Sequence, residues 1–335
     1  MTVSRLGWKA LLWAAMIPTA ASAQKSNPSD RPSSASDLPH WAFPNTSAGV
    51  SAPTPPFDST TALHVPQSTR SFTLGQVKNQ LNPADWFPGA HPQAPDVVIH
   101  SRPAAKYACG YCHLPDGQGR SENATIVGLP TLYFIRQLTD LGSGARHGAL
   151  AGWGPSVRMG EVAKATTREE AADAARYFGR MRAKRRYTVV ERDKIPGVYE
   201  AGGLYAAKPG ADSEPLDGRL MEMSNDIERH ELHDPGETFT TFVPLGSIER
   251  GRRIAAAAPA KSVTRCATCH GMDLRGIALV PPIAGRSPAY LLRQLIGFKT
   301  GARATATSAP MQLVASTLEL GDMIAVAAYA GSRRP

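Results

Sequence analysis

All four cysteines of this 335-residue chain sit in two five-residue strings, CGYCH at 109–113 and CATCH at 266–270. Cys-x-x-Cys-His is the spacing for covalent attachment of a c-type haem. Two thiols one helical turn apart can add across the two vinyl groups of one haem edge, and the next residue then points an imidazole at the iron. Cys109, Cys112, Cys266 and Cys269 are therefore candidate attachment points for two covalently attached haem c groups, with His113 and His270 as candidate iron ligands. The competing chemistries fit less well. A structural zinc site wants its cysteine pairs closer together and needs no histidine directly after each. A thioredoxin-like dithiol would sit in a βαβ pattern that is missing here. A disulfide inside either string would close a very short loop and stabilise little.

The chain contains one small unit twice, and the repeat selects a second iron ligand. With His113 laid over His270, Asp116 meets Asp273, Gly119 meets Gly276, Gly128 meets Gly285 and Tyr133 meets Tyr290 without a gap. In the same register Arg136-Gln137-Leu138 meets Arg293-Gln294-Leu295, and Gly144-Ala145-Arg146 meets Gly301-Ala302-Arg303. The first copy then carries five extra residues, after which Met159 precedes Tyr177 by 18 positions, just as Met311 precedes Tyr329. These offsets single out Met159 and Met311. Met181 and Met323 belong to helices, and Met272 is too near His270 to reach the opposite face of an iron. His147, in the enlarged segment, is the competing ligand in the first copy. A thioether opposite an imidazole favours ferrous iron and raises the potential. It also fills the coordination sphere, which suits one-electron exchange rather than substrate binding. Arg146, Arg303 and Trp153 are candidates to hold haem propionates through charge-assisted hydrogen bonds.

Helices must position these groups. Apolar residues recur at helical spacing in TLYFIRQLTDL (131–141) and AYLLRQLIGFK (289–299). TTREEAADAARYFGRM (166–181) carries helix start and stop signals, and LELGDMIAVAAYAG (318–331) is its counterpart. SIERGRRIAAAA (247–258) opens the second copy as a helix, with PDVVIHSR (95–102) a weaker analogue. Met159 falls in WGPSVRMGEV, which reads as irregular. Between the copies, β-branched and aromatic residues mixed with Gly and Pro predict short strands and loops. There RHELHD (229–234) reads as a solvated loop, because its spacing is not that of a zinc helix.

The N-terminus sets the expected compartment. Arg5 and Lys9 precede an apolar run that ends in Ala21-Ser22-Ala23, the pattern of a cleavable secretory signal over 1–23. No cysteine follows it, so no membrane anchor is expected. Residues 24–66 are rich in Ser, Pro, Thr and Ala and read as an arm or an extended strap. The formal charge is +9, from 37 Lys and Arg against 28 Asp and Glu. No dense basic run with interleaved aromatics accompanies it, so nucleic acid is not expected as a partner. MRAKRR (181–186) reads as the basic end of a helix.

CATCHGMDLRG, VPPIAGRSPAYLLRQLIGFKTGAR, APM and AVAAYAGS together resemble a class I cytochrome c domain of the dihaem cytochrome c4 type. CGYCHLPDGQG, GLPTLYFIRQL, GAR and AARYFGRM are similar to its partner domain. The resemblance covers about 95–183 and 246–332. It implies a mainly α fold: two tandem class I cytochrome c helical domains at 67–186 and 246–335, packed as a pseudo-symmetric pair. A loop and short-strand insert at 187–245 and an irregular N-terminal extension depart from simple members. In the family a proline carbonyl before the turn orients the proximal histidine. Pro282 matches that position, and Thr125 stands there in the first copy. The implied function is periplasmic electron transfer between a dehydrogenase or quinol-oxidising complex and a terminal oxidase or other acceptor, without enzymatic activity. The alternatives are a dihaem cytochrome c peroxidase-like enzyme and the cytochrome subunit of a dehydrogenase complex.

Overall fold

The chain's computed structural model describes residues 38–44, 60–102, 104–201, 203–256 and 265–335. The expected signal at 1–23 and much of the extension lie outside them. Residues 67–186, which contain the first haem string, hold α1 (Leu74–Val77), α2 (Asp96–Ile99), α3 (Cys109–His113), α4 (Thr131–Gly142), α5 (Gly154–Ala165) and α6 (Arg168–Gly179). The second repeat uses α8 (Ser247–Ala256), α9 (Cys266–His270), α10 (Pro288–Lys299), α11 (Ala309–Ser316) and α12 (Leu320–Ser332). The described residues all fall in one unit, 34–335.

Local sequence explains the helix limits. Thr167 accepts from the Glu170 amide while the Glu170 side chain returns to the Thr167 amide, a reciprocal cap that starts α6. Ala171, Ala174, Ala175 and Phe178 then bury one face. Ser287 caps α10, and Pro288 occupies its first turn, where a missing N–H costs nothing. Helix α8 crosses α12 at Gly251, where an added Cβ would lie 2.0 Å from the Ala325 carbonyl oxygen. Only glycine permits that approach.

The insert overturns the mainly α expectation. Residues 187–243 form β1 (Tyr187–Glu191), β2 (Lys194–Pro196), β3 (Val198–Ala201), β4 (Leu204–Ala207), β5 (Ser213–Pro215), β6 (Met221–Ser224), the short helix α7 (Ile227–Glu231) and β7 (Phe239–Val243). Five of these strands make one mixed sheet in the order β1-β7-β6-β4-β3, and β2 pairs with β5. β1 lies parallel to β7, with Tyr187 opposite Phe239 and their rings stacked at 5.2 Å. The strand-forming residues were visible in sequence, but parallel partners need a long connection between them. Here some fifty residues separate them. Propensity alone does not show that pairing.

Two neighbouring readings also change. Asp226 caps α7, and RHELHD is no solvated loop: His230, His233 and Asp234 are buried. Helix α6 ends before MRAKRR, and Arg186 is buried rather than solvated. It donates to the Glu237 carbonyl at 2.7 Å and lies 5.3 Å from the Phe239 ring centre. The described part of the extension is a strap. A short 3-10 turn, His40–Ala42, leads Phe43 edge-on against Trp153 at 5.7 Å, within the apolar core that includes α10 and α12 residues.

Candidate functional site

Each Cys-x-x-Cys-His string forms a one-turn helix entered from an extended residue, Ala108 or Arg265. None of the four cysteines is in a disulfide. Burial pushes the Cys109 thiol up to about 12 and raises Cys112 and Cys266 as well. A redox-active or metal-binding dithiol needs the opposite shift, toward thiolate. Among the described residues no group of three or more His, Cys, Asp or Glu side chains is placed to hold a metal ion by itself.

The two histidines are held alike. His113 Nδ1 lies 2.8 Å from the Ala124 carbonyl oxygen, and His270 Nδ1 lies 2.9 Å from that of Pro281. A carbonyl only accepts, so Nδ1 carries the proton and Nε2 keeps its lone pair. Burial also holds both imidazoles below their usual pKa, which favours the neutral ring. Gly119 N–H binds the His113 carbonyl at 2.9 Å, and Gly276 N–H binds that of His270 at 2.8 Å. The orienting carbonyl in the second copy is that of Pro281, one residue before the expected Pro282. Ala124 is the equivalent residue of the first copy, so Thr125 removes nothing.

One cavity of about 630 Å³ is lined by Cys109, Cys112, His113 and Met159 from the first repeat and by Cys266, Cys269, His270 and Met311 from the second. Met159 lies on α5, not in an irregular stretch: Pro155 in the first turn starts a helix there. Met311 lies on α11, with Pro310 likewise near its start. The other methionines are elsewhere. Met323 is core, Met272 is exposed, and Met181 packs on the α6 side of the first repeat. His147 also lines the cavity but is exposed, its Nδ1 3.0 Å from the Gly148 carbonyl oxygen.

Arg146 and Arg303 meet where the two repeats join, and their backbones form an antiparallel bridge. Arg146 donates to Gln137 of its own repeat at 2.8 Å and to Gln294 of the other at 2.9 Å. Arg303 mirrors this, donating to Gln294 at 3.0 Å and to Gln137 at 2.8 Å. Tyr290 and Tyr133 accept from Arg146 and Arg303 at 3.2 and 3.4 Å. Every one of these partners is neutral. Arg303 is buried, Arg303 Nε has no partner, and neither guanidinium forms an ion pair among the described residues. Two cations on the wall of one cavity with no carboxylate in salt-bridge contact suit an anionic group there. Trp153 lines the cavity too, but its indole N–H is engaged with the Pro44 carbonyl at 2.9 Å.

Several contributors lay beyond sequence reasoning. Gln137, Gln294, Tyr133 and Tyr290 were matched in the repeat register, which was the available signal. Arg286 had none, because its counterpart is Leu129. It reaches from the second repeat to the Thr125 and Val127 carbonyls of the first, at 2.9 and 2.7 Å, next to the Ala124 carbonyl that fixes His113.

No family model matches the chain. It is 26% identical over 226 residues to cytochrome c4 of Azotobacter vinelandii, covering 66% of this chain and 82% of that one. It is 33% identical over 79 residues to cytochrome c-554(548) of Halomonas halodenitrificans, covering 23% of this chain and 95% of that one. The chain belongs to the class I cytochromes c. Cytochrome c4 is among its homologues, so this cytochrome is an electron-transfer protein with covalently bound haem c. Its fold can be laid on reduced cytochrome c4 from Pseudomonas stutzeri with a TM-score of 0.45 and 19% identity, over 68% of this chain and 93% of that one. The insert sheet is what a mainly α expectation leaves out.

Proposed function

We propose that the chain carries two haem c groups, one per repeat, and passes single electrons between periplasmic redox proteins. Donors would be a dehydrogenase or quinol-oxidising complex, and the acceptor a terminal oxidase or reductase. The observation that carries this reading is the duplicated wall of one cavity: in each repeat a pair of thiols, a histidine with Nδ1–H fixed, and a methionine. Cys109 and Cys112 would hold one group and Cys266 and Cys269 the other, with His113 and Met159, and His270 and Met311, as the residues that would bind the two irons. When bound, each haem supplies an iron that takes up and releases one electron.

The chain's own residues supply the rest. Ala124 and Pro281 keep each imidazole in the tautomer that presents Nε2. Arg146 and Arg303 offer positive charge for propionates at the junction of the repeats. The continuous cavity favours two closely spaced groups, and the signal at 1–23 favours an exported chain organised as domains 67–186 and 246–335. Replacing Met159 or Met311 by alanine should lower the midpoint potential of one haem and let carbon monoxide bind its reduced iron, leaving the other haem as it was. Unchanged potentials and no carbon monoxide response in either variant would refute the ligand assignment.

A further inference from the structure

The insert treats the two repeats differently. In the first, the loop after the haem string carries Arg120, Ser121 and Glu122, and the insert covers it. Ser121 donates to Glu222 of β6 at 2.7 Å, and Glu122 lies beside His230 of α7. The ring of Tyr111, inside CGYCH, packs on His233 at 5.0 Å. Glu122 is in turn paired with Arg120 at 2.9 Å, so every charge in this loop is spent internally.

The same positions of the second repeat are Ile277, Ala278 and Leu279, and nothing described covers them. Ile277 is 53% and Leu279 45% exposed, Met272 is 84% exposed, and Cys269 is the one exposed cysteine. Ile277 lies against Gly271, which places it beside Met272. Leu279 and Cys269 line the cavity, whereas Ile277 and Met272 lie outside that lining, so the patch runs from the cavity edge onto the outer surface. Scattered exposed leucines are ordinary, but a run of large apolar side chains at a cavity edge marks a contact face. Exposed Arg265 and Arg275 flank it without an ion pair among the described residues, and Asp273 offsets one of them. The remaining local charge is positive, like the chain's formal +9.

We propose that Met272, Ile277 and Leu279, around Cys269, form the docking face for a redox protein whose contact surface is an apolar centre ringed by carboxylates. The insert, by covering the matching loop of the first repeat, makes the second repeat the partner-facing electron port. This rests on the electron-carrier reading above. Charge complementarity of this kind governs the encounter rate more than the final affinity.

The test uses the reduced, haem-loaded chain in a stopped-flow instrument, with plastocyanin, an acidic blue-copper protein, as one oxidant and ferricyanide as the other. Ile277→Asp and Arg275→Glu should each slow oxidation by plastocyanin about tenfold at low salt, and the wild-type rate should fall as salt rises. Lys106→Glu, an exposed charge next to the first haem string, should leave that rate within about twofold of wild type. At high salt, where its own negative charge is screened, ferricyanide should oxidise all four proteins alike. Equal plastocyanin rates for wild type and the two patch variants, a rate insensitive to salt, or an equal loss in Lys106→Glu would overturn the proposal. Failure of ferricyanide to oxidise any of them would instead overturn the electron-carrier reading.

Discussion

Glu222 is the point at which the insert sheet grips both repeats, and replacing it should cost more than any surface carboxylate. Its Oε1 accepts from Ser121 of the first repeat and Ser287 of the second, each at 2.7 Å. Its Oε2 accepts from Thr241 of β7 at 3.0 Å and from the Ala289 amide in the first turn of α10 at 3.2 Å. The positive charge of Arg293, itself buried, acts on this carboxylate. Hydrogen bonds to a charged acceptor contribute about 1.5–3 kcal/mol each, offset by several kcal/mol for taking the carboxylate out of water. Glu222→Ala strands all four donors and a buried arginine, so its net cost should be about 3–5 kcal/mol. Glu222→Gln keeps the oxygen that faces the serines and lets Thr241 reverse its role, losing only the Ala289 bond. It should cost about 1–2 kcal/mol. Urea unfolding of the haem-loaded proteins, followed by far-UV circular dichroism at neutral pH, measures both. Burial raises the Glu222 carboxyl above its usual pKa. A group with a raised folded pKa contributes stability that is full below its unfolded value, about 4.3, and is lost as pH rises through the folded value. The stability advantage of wild type over Glu222→Gln should therefore shrink from about pH 4 toward neutrality. A Glu222→Ala loss below about 1 kcal/mol, or a gap that widens with pH, would refute this account of the keystone.

Other outcomes follow from the same geometry. Gly251→Ala gains about 1 kcal/mol of helix propensity but drives a Cβ into the Ala325 backbone, so thermal unfolding should show a net loss of about 1–2 kcal/mol. Gln137→Ala and Gln294→Ala each leave both junction arginines short of one acceptor. A double-mutant cycle in urea should show non-additivity of about 0.5–3 kcal/mol, and simple addition would mean the arginines are not shared. The mass of the denatured, exported chain should exceed that of the polypeptide by two haems. Replacing Cys266 and Cys269 together by alanine should remove one of them.

The residues that gather at the cavity and the junction were open to reading because they are written twice. Matching His113 to His270 aligned the tyrosines, glutamines and arginines that the structure brings to one junction, and matching offsets drew attention to Met159 and Met311. What was hidden depends on contacts distant in sequence. The pairing of β1 with β7 joins segments that alternate weakly and lie far apart, so their strand character read as loop and short strand. Glu222, His230, Asp234 and Arg186 look like surface residues by type, and only their mutual partners allow burial. The helix carrying Met159 was masked by its Trp-Gly-Pro start, which reads as a break although Pro in the first turn favours one. The choice of Ala124 and Pro281 as acceptors is a backbone property, invisible to side-chain matching. Arg286 acts across the repeats and has no twin, so the register that revealed its neighbours passed over it.

The central claim, that this cytochrome holds two haems with both irons fully ligated for electron carriage, is tested most directly by carbon monoxide. The account predicts that the absorption spectrum of the chemically reduced, haem-loaded protein is the same before and after the gas is added. A shift in the bands of either haem would expose an open or labile iron and contradict it, turning attention to peroxide chemistry at that site.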